Sequence, residues 1–322
     1  MSDSDFLADA INGRTNGEIL LSLSVPGDSA YHPCAEAFPD NEIPTAKITS
    51  FRNWSDTEIF AGTYRDLWVS IPNNLEGTAS LLICQDGGGY LDRQGPVRAT
   101  AVLDSLMHAN KIRPTIGVFV MPGAFKGSTE IEARNQRSIE YDSINDTYVR
   151  FIDEELLPFV ENTLQVKITK DPEERIACGI SSGGICAFNM AWQRPDSFGK
   201  VISHCGSFTN IRGGHKFPFW VREEPRKPIK IFLTSGEADA EILLGSWPLA
   251  NKMMADAFKF AGYDYHFEFG TGGHNLRHGG ALFAKSISWL ASSESAARKK
   301  TEDKQMLATT LRKIQENLMS AT

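Results

Sequence analysis

The order of apolar and polar positions along the chain changes near Pro72. Residues 47–51 and 64–71 alternate apolar and polar side chains, which is typical of strands with one solvated face. We expect these two segments to form an antiparallel pair at the edge of a sheet. After Pro72, short apolar runs alternate with helix-length amphipathic stretches, and this rhythm predicts parallel strands with helices on both faces.

Six of the apolar runs after Pro72 have the length of buried strands. Together with the edge pair they predict an α/β protein with a doubly wound, mostly parallel sheet of eight strands. Sheets of this kind place their functional sites at the carboxyl ends of the strands. The six predicted strands are residues 80–84, 115–121, 175–179, 200–204, 229–234 and 265–269, and the predicted helices are residues 97–109, 148–163, 185–193, 247–260 and 280–291.

The two ends of the chain differ from this central region, which we place at residues 47–292. Residues 1–46 contain prolines that interrupt any long element, so they predict an irregular N-terminal arm. Residues 293–322 are charged and rich in alanine, and they predict a C-terminal charged helix. The helical spacing of its apolar residues favours packing on the same chain over a dimer contact, and a monomer and a homodimer both stay open. These apolar residues are Leu307, Leu311, Ile314 and Leu318.

Composition and charge exclude several classes of protein. The chain has 322 residues, of which 41% are hydrophobic and 23% charged, as in an average soluble globular protein. Its net charge of −7 argues against a nucleic-acid partner, which normally requires a basic excess. No apolar run approaches the roughly 20 residues of a membrane span. The N-terminus lacks the pattern of a secretory signal and the five cysteines include no C-x-x-C pair, so we expect reduced thiols in a cytoplasmic protein.

The clearest chemical signal is a G-x-S-x-G pattern at residues 179–183, between a predicted strand and a predicted helix. In this context the serine stands on a sharp turn above the sheet, where its hydroxyl can act as a nucleophile. Glycines flank it because the neighbouring backbone passes too close for side chains. The pattern predicts Ser181 as the nucleophile of an acyl-transfer reaction.

A nucleophilic serine needs a base, and the base needs an acid that orients it. In this topology the chain order is Ser, then Asp or Glu, then His. Asp239 follows a predicted strand, with Glu237 and Glu241 as nearby competitors, and His274 follows the next strand in a glycine-rich loop. We therefore predict Asp239 as the acid and His274 as the base.

The sequence predicts neither a metal nor an organic cofactor. His278 lies four residues after His274, but the helix of a zinc site would need glutamate directly after the first histidine, and Asn275 stands there. The G-x-G-x-x-G pattern of a dinucleotide site and the Gly-Lys-Ser/Thr of a phosphate-binding loop are both absent from the sequence.

The anion that forms during acyl transfer needs two backbone N–H donors. We expect one from Ser182, which follows the nucleophile. The other should come from the loop after an earlier strand, where three glycines let the backbone turn its N–H groups towards a substrate oxygen. We predict Gly88 or Gly89 as this second donor, with Gly87 also possible by sequence.

Four further residues are candidates for substrate binding. Tyr90 follows the three glycines, and His204 ends a strand near the predicted site, although a lone histidine there is more often a buried structural group. Arg212 and Trp220 belong to residues 208–220, a segment with aromatic and basic side chains that follows a strand end. If this segment overhangs the site, it favours an aryl or anionic ester through stacking and charge attraction. The alternative is a surface loop whose aromatic rings pack inward.

Four short motifs carry a family resemblance: Gln-Asp-Gly at 85–87, Gly-Ile-Ser-Ser-Gly-Gly at 179–184, Arg-Pro-Asp-Ser-Phe-Gly at 194–199 and Gly-Gly-His at 272–274. Together they resemble the putative esterase family of α/β-hydrolases, which includes esterase D and enterochelin esterase. The resemblance runs from about residue 64 to residue 290. It implies an α/β-hydrolase fold and a Ser–Asp–His hydrolase, and these roles carry over to Ser181, Asp239 and His274.

The leading hypothesis is therefore a serine esterase that cleaves a carboxylic ester of a small soluble substrate through an acyl-enzyme. An acyltransferase would use the same serine but pass the acyl group to an alcohol instead of water. The alternative from another class is a non-catalytic binding protein on a hydrolase scaffold. The three triad residue types in the expected order argue against it.

Overall fold

A computed structural model describes residues 25–292, and its centre is a sheet of eight long strands. These are β1 Lys47–Trp54, β2 Thr63–Ile71, β3 Thr78–Gln85, β4 Thr115–Val120, β5 Arg175–Ile180, β6 Lys200–His204, β7 Lys230–Ala238 and β8 Asp264–Gly273. They are hydrogen-bonded in the order β1-β2-β4-β3-β5-β6-β7-β8. Two-residue strands at Ala124–Phe125 and Lys167–Ile168 also pair with β2 and β3.

The strand directions confirm the predicted α/β architecture. β1 and β2 form the predicted antiparallel edge pair, with Lys47 opposite Ile71, and β2 is also antiparallel to β4. The remaining neighbours, from β4 through β3 to β8, are parallel. β7 and β8 continue to Ala238 and Gly273, beyond the predicted ends at 234 and 269.

The inner strands are buried on both faces. β4 is buried at every position. Successive residues of β3 enter two different apolar clusters, because Leu81 and Ile83 contact one cluster whereas Leu82 and Cys84 contact the other. A strand between two layers of helices needs apolar side chains on both faces, which is why these strands appear in the sequence as continuous apolar runs.

Ten α-helical segments are present within the described residues. They are α1 Gly87–Leu91, α2 Ala99–His108, α3 Glu130–Asp142, α4 Thr147–Arg150, α5 Leu157–Leu164, α6 Ser182–Gln193, α7 Phe217–Glu223, α8 Trp247–Phe260, α9 Leu276–Ala281 and α10 Phe283–Ala291. A π-helical segment, Phe151–Leu156, joins α4 to α5, so the predicted helix 148–163 is continuous in the chain but not regular throughout.

Three of these helices, α1, α3 and α7, were not predicted from the sequence, and one predicted helix is divided. α3 was not predicted, because its charged sequence shows little apolar periodicity; its local signal is a capping box in which Thr129 accepts from the backbone N–H of Glu132. The predicted helix 280–291 starts earlier and is divided, since α9 ends at Ala281 and α10 begins at Phe283.

The N-terminal arm is described from Val25 onwards and contains two 3-10 turns, Pro26–Ala30 and Ala35–Ala37. Residues 1–24 and 293–322, with the apolar stripe predicted near the C-terminus, lie outside the described residues. Four of the five cysteines are buried, whereas Cys34 in the arm is partly exposed. Between residues 25 and 292, no helix combines the length and the apolar character needed to cross a bilayer.

Candidate active site

The turn between β5 and α6 carries Ser181 in a strained backbone conformation, with φ 58° and ψ −121°. Such conformations cost free energy and are found where the surrounding structure enforces them, often at active sites. Here the strand and the helix approach so closely that a Cβ on Gly179 would lie 2.2 Å from the carbonyl oxygen of Gly183. Glycine is therefore required by space at position 179, and the turn places the Ser181 hydroxyl at the carboxyl end of the sheet.

Three side chains from three strand ends meet at this turn. The Nε2 atom of His274 lies 2.8 Å from Ser181 Oγ, and its Nδ1 atom lies 2.6 Å from Asp239 Oδ1. Asp239 follows β7, and His274 follows β8. The structure thus brings together the three residues that the sequence predicted as nucleophile, base and acid.

The carboxylate of Asp239 is held from several sides. Its Oδ2 accepts a hydrogen bond from Ser235 Oγ at 2.6 Å, and its Oδ1 also accepts from the backbone N–H of Ala240 at 2.8 Å. The side chain has no exposed surface. The two competing carboxylates, Glu237 and Glu241, are exposed.

A second hydroxyl, from Ser207, lies beside the nucleophile. Its Oγ is 3.2 Å from Ser181 Oγ and accepts a hydrogen bond from the indole N–H of Trp247 at 3.2 Å. Because that indole can only donate, the Ser207 hydroxyl proton remains available for Ser181. The Trp247 ring also meets the His274 ring edge-on, with centroids 5.6 Å apart. Neither residue was predicted, since nothing in the sequence links Ser207 or Trp247 to the elbow.

The predicted oxyanion donors differ in availability. Ser182 is the first residue of α6, so its N–H belongs to the turn whose donors have no acceptor within the helix. The N–H of Gly88 faces Met121 Sδ at 3.4 Å, a weak acceptor, whereas the N–H of Gly89 donates to the carbonyl of Asp86 at 3.1 Å. Of the two predicted glycines, Gly88 is therefore the better candidate.

An ion pair supports the backbone just before these glycines. Arg137 of α3 donates to both carboxylate oxygens of Asp86, at 2.9 and 2.7 Å. Asp86 itself has φ 54°, so the loop bends sharply into α1. Paired Arg–carboxylate hydrogen bonds fix geometry as well as charge, which gives Arg137 a role in holding the loop. The sequence offered no signal for it, because α3 itself was not predicted.

Tyr90 and His204 do not line an open site, which corrects their predicted role in substrate binding. Both are buried, and the Tyr90 hydroxyl forms a 2.9 Å hydrogen bond with His204 Nδ1. Burial, with a smaller contribution from His278, lowers the pKa of His204 from 6.5 to about 3. His204 is therefore a neutral structural group, and a substrate cannot reach either ring without repacking.

For residues 208–220 the sequence left open a segment that overhangs the site or a surface loop whose aromatic rings pack inward, and the structure shows features of both. Phe208 and Phe217 are buried in the core, and the half-buried ring of Trp220 packs edge-on against Phe217 at 5.4 Å, so Trp220 serves packing in this structure. Arg212 is exposed and donates to Ser138 Oγ at 3.1 Å. Phe208, Phe217 and Trp220 thus pack inward, whereas Phe219 and Arg212 stay at the surface.

Arg212 and Ser182 both act on the buried carboxyl group of Asp142. Burial raises the pKa of this carboxyl group, and the hydroxyls of Ser138 and Ser182 and the charges of Arg137 and Arg212 act in the opposite direction. Arg212 and Ser182, the residue after the nucleophile, thus both stabilise the ionised form of Asp142.

Potential metal ligands also occur near the site. Within residues 25–292, one cluster holds three possible ligand atoms within 4.8 Å of one another, from Cys205, Asp239 and His274. Burial and the charge of Asp239 raise the pKa of the Cys205 thiol well above its usual value, so this sulfur stays protonated and is a poor ligand. The other two groups are hydrogen-bonded to each other. His278 is not part of this cluster, and its ring stacks on Tyr31 with centroids 4.4 Å apart.

The strand order and the strained serine turn at the carboxyl end of the sheet define an α/β-hydrolase fold. The sequence profile of the putative esterase family matches residues 62–288, and the chain belongs to that family. The iron(III) enterobactin esterase of Dickeya dadantii (strain 3937) is 25% identical over an alignment of 290 residues, and the match covers 84% of this chain and 61% of the relative. The chain thus spans about three fifths of the length of that relative.

Solved structures of esterases share this fold. The enterobactin esterase of Shigella flexneri, crystallised in the presence of 2,3-di-hydroxy-N-benzoyl-glycine, has a TM-score of 0.60 and 21% identity, covering 80% of this chain and 62% of its own. The ferulic acid esterase of Anaeromyces mucronatus has a TM-score of 0.62 and 15% identity, covering 80% of this chain and 95% of its own. At these identities the likeness concerns the fold alone.

Proposed function

We propose that this protein is a serine esterase that hydrolyses a carboxylic ester through an acyl-enzyme on Ser181. The observation that carries the proposal is the continuous hydrogen-bonded chain from Ser181 through His274 to the buried carboxylate of Asp239. Membership of the putative esterase family supports the same reaction class. These residues need no metal or organic cofactor for the chemistry.

In the first half of the reaction His274 acts as the general base. The carboxylate of Asp239 accepts a hydrogen bond from the Nδ1–H of the imidazole and stays ionised. This tautomer leaves Nε2 free to take the proton of Ser181 Oγ as this oxygen attacks the acyl carbon. Proton return from Nε2 to the leaving alcohol then completes the acyl-enzyme. In the second half water replaces the alcohol, and the same two proton transfers release the acid and Ser181.

The tetrahedral intermediate carries a negative charge that needs donors in place before the reaction. The N–H of Ser182 at the start of α6 and the N–H of Gly88 are the two donors we assign to this charge. The positive end of the α6 dipole lies beneath the same position. Donors and dipole are fixed by backbone structure, so little reorganisation is needed when the charge develops.

We further propose an aryl or anionic carboxylic ester as the substrate class. Arg212 supports an anionic group, because it is an exposed cation in a chain of net charge −7 and acts on Asp142, as Ser182 beside the nucleophile does. The names of the structural relatives, a ferulic acid esterase and an enterobactin esterase, are consistent with aryl acids. Trp220 no longer contributes to this proposal, since its ring packs on Phe217.

The nucleophile is tested by comparing Ser181→Ala with Ser55→Ala, which changes an exposed serine beyond β1. We expect Ser181→Ala to lose nearly all turnover of aryl esters while keeping the circular dichroism spectrum of the wild type, because only binding and oxyanion effects remain. Ser55→Ala should hydrolyse the same esters at the wild-type rate. Wild-type turnover by Ser181→Ala would refute the mechanism.

The substrate class is tested separately with Arg212→Ala. This substitution should raise KM for an anionic aryl ester more than for a neutral acetyl ester. Arg222→Ala is the matched control, since Arg222 pairs with Asp256 and lies over the ring of Phe260. Equal effects of Arg212→Ala on both esters would remove Arg212 from substrate binding without affecting the triad.

A further inference from the structure

The N-terminal arm lies directly against the loop that carries His274. Asp28 in the 3-10 turn Pro26–Ala30 is 1% exposed. Its Oδ1 accepts from the backbone N–H of Gly273 at 2.9 Å, and its Oδ2 accepts from the side-chain amide of Asn275 at 2.9 Å. One buried carboxylate therefore holds the residues on both sides of His274.

The same turn of the arm contacts the loop at further points. The Tyr31 hydroxyl accepts from the backbone N–H of Thr271 at 2.9 Å, and its ring stacks on His278. Gly27 approaches so closely that a Cβ there would lie 2.1 Å from the carbonyl oxygen of Thr271. The contact between arm and loop thus spans residues 271–278.

The place of this loop in the fold explains why it needs such support. β8 is the last strand of the sheet and pairs with β7 on one side. An edge strand has backbone groups that no neighbouring strand satisfies. At the end of β8, the arm supplies acceptors for the N–H groups of Thr271 and Gly273.

Asn275 extends the support into the helix that follows the base. It is the N-cap of α9, and its Oδ1 accepts from the backbone N–H of Arg277 at 2.9 Å. Its amide nitrogen is the group that donates to Asp28. Asp28 is thereby connected through Asn275 to the start of α9, and His274 is fixed between the strand end and the helix.

We propose that Asp28 is a positioning residue that holds His274 at hydrogen-bonding distance from Ser181, and that the arm is part of the catalytic unit. This inference rests on the proposed esterase function. The arm lies outside residues 62–288, which the family profile matches, so the family resemblance does not contain it. Small displacements of a catalytic group are costly, and a shift of about 1 Å can reduce the rate by about 10²-fold.

Asp28→Ala tests the proposal, with Asp40→Ala, an exposed carboxylate of the same arm, as the control. We expect Asp28→Ala to lower kcat by about 10²-fold with a smaller change in KM, because the substrate does not contact Asp28. The rate of Ser181 labelling by a fluorophosphonate should fall as well. Asp40→Ala should match the wild type in both.

Active-site titration separates positioning from simple unfolding. The number of labelled sites at completion gives the folded, competent fraction, so kcat can be expressed per labelled site. A low kcat per site in Asp28→Ala supports the proposal. If the surviving sites turn over at the wild-type rate, Asp28 serves stability alone and the proposal is wrong.

A reciprocal exchange gives a second test. Asp28→Asn alone places an amide nitrogen opposite the amide nitrogen of Asn275, so kcat should fall. Adding Asn275→Asp restores a donor–acceptor pair, and aspartate is as good an N-cap as asparagine. The double variant should therefore recover kcat relative to Asp28→Asn; failure to recover would contradict the pairing. If the wild type itself hydrolyses no ester and Ser181 takes no label, the proposed function fails instead.

Discussion

The nucleophile and the base of the proposed triad are held in different ways. Ser181 stands on a turn whose neighbours in sequence fix it, because Gly179 and Gly183 contact each other across the elbow. His274 stands at the edge of the sheet, on a loop held by the N-terminal arm. Gly273 and Asp28, which share the main contact, are 245 residues apart in sequence.

This difference shows what a local motif can and cannot specify. The elbow is complete within β5, α6 and the turn between them, so a change there acts directly on the nucleophile. The loop that carries the base is instead contacted by the arm, a segment that is distant in sequence. We expect the two halves of the triad to respond differently to substitution, and the predictions below test that expectation.

The largest effect should come from the acid that orients the base. Asp239→Asn should lower kcat on the order of 10⁴-fold, because an amide favours the wrong imidazole tautomer. Glu237→Gln, which changes an exposed neighbour, should leave kcat unchanged. Steady-state kinetics on one aryl ester checks both. Loss of activity in Glu237→Gln with a normal rate in Asp239→Asn would show that Glu237, and not Asp239, is the acid that orients His274.

A smaller effect is expected on the nucleophile side. Ser207→Ala removes the hydroxyl 3.2 Å from Ser181 Oγ and leaves the buried indole N–H of Trp247 without that acceptor. One such hydrogen bond contributes about 1 kcal/mol, so kcat should fall several-fold while the fold is kept. Trp247→Phe retains the Ser207 hydroxyl, so the rate of labelling by a fluorophosphonate should fall less in this variant than in Ser207→Ala. An unchanged labelling rate in Ser207→Ala would show that Ser181 needs no second hydroxyl.

The smallest effect on turnover, accompanied by a change in stability, is expected for the buried His204. A Cβ on Gly279 of α9 would lie 2.7 Å from the His204 ring, so His204 packs against the helix that follows His274. Its pKa is lowered from 6.5 to about 3, mainly by burial. As the pH falls, His204 is therefore protonated in the unfolded chain at a higher pH than in the folded protein. The stability that neutral His204 contributes at neutral pH is therefore lost as the pH falls from 6.5 towards 3.

Urea denaturation of the wild type and His204→Asn between about pH 7 and pH 4.5 measures this contribution. Asparagine keeps a polar partner for Tyr90 but does not titrate. Below pH 6.5 the free energy of unfolding of the wild type should fall relative to the variant, by at most about 1.4 kcal/mol per pH unit. A constant difference between the two proteins would mean that His204 has the same pKa in the folded and the unfolded state, which contradicts the lowered pKa.

Sequence reasoning succeeded where the physical cause is local or periodic. Buried parallel strands require apolar side chains on both faces, so the eight strands were visible as alternating or continuous apolar runs. The elbow serine was visible because close backbone contact demands glycine at fixed spacing around Ser181. The meeting of Asp239 and His274 with this serine followed from the position of each residue after a strand end.

The remaining features depend on contacts between distant segments. Asp28 reads as one acidic residue among many, because its partners Gly273 and Asn275 are far away in the sequence. Ser207 and Trp247 likewise meet only in the folded chain. The predicted role of Tyr90 and His204 in substrate binding was wrong for the same reason. Their position near strand ends did not reveal that both side chains would be buried and hydrogen-bonded to each other.

The central claim, that Ser181 is the nucleophile of an esterase, is tested most directly by covalent labelling. The wild-type protein is treated with a fluorophosphonate, its residual ester hydrolysis is followed, and the labelled peptide is identified by mass spectrometry. We predict one phosphonate on Ser181 and a loss of activity in proportion to the label. Full activity with Ser181 completely labelled, or inactivation with the label on another residue, would contradict the claim.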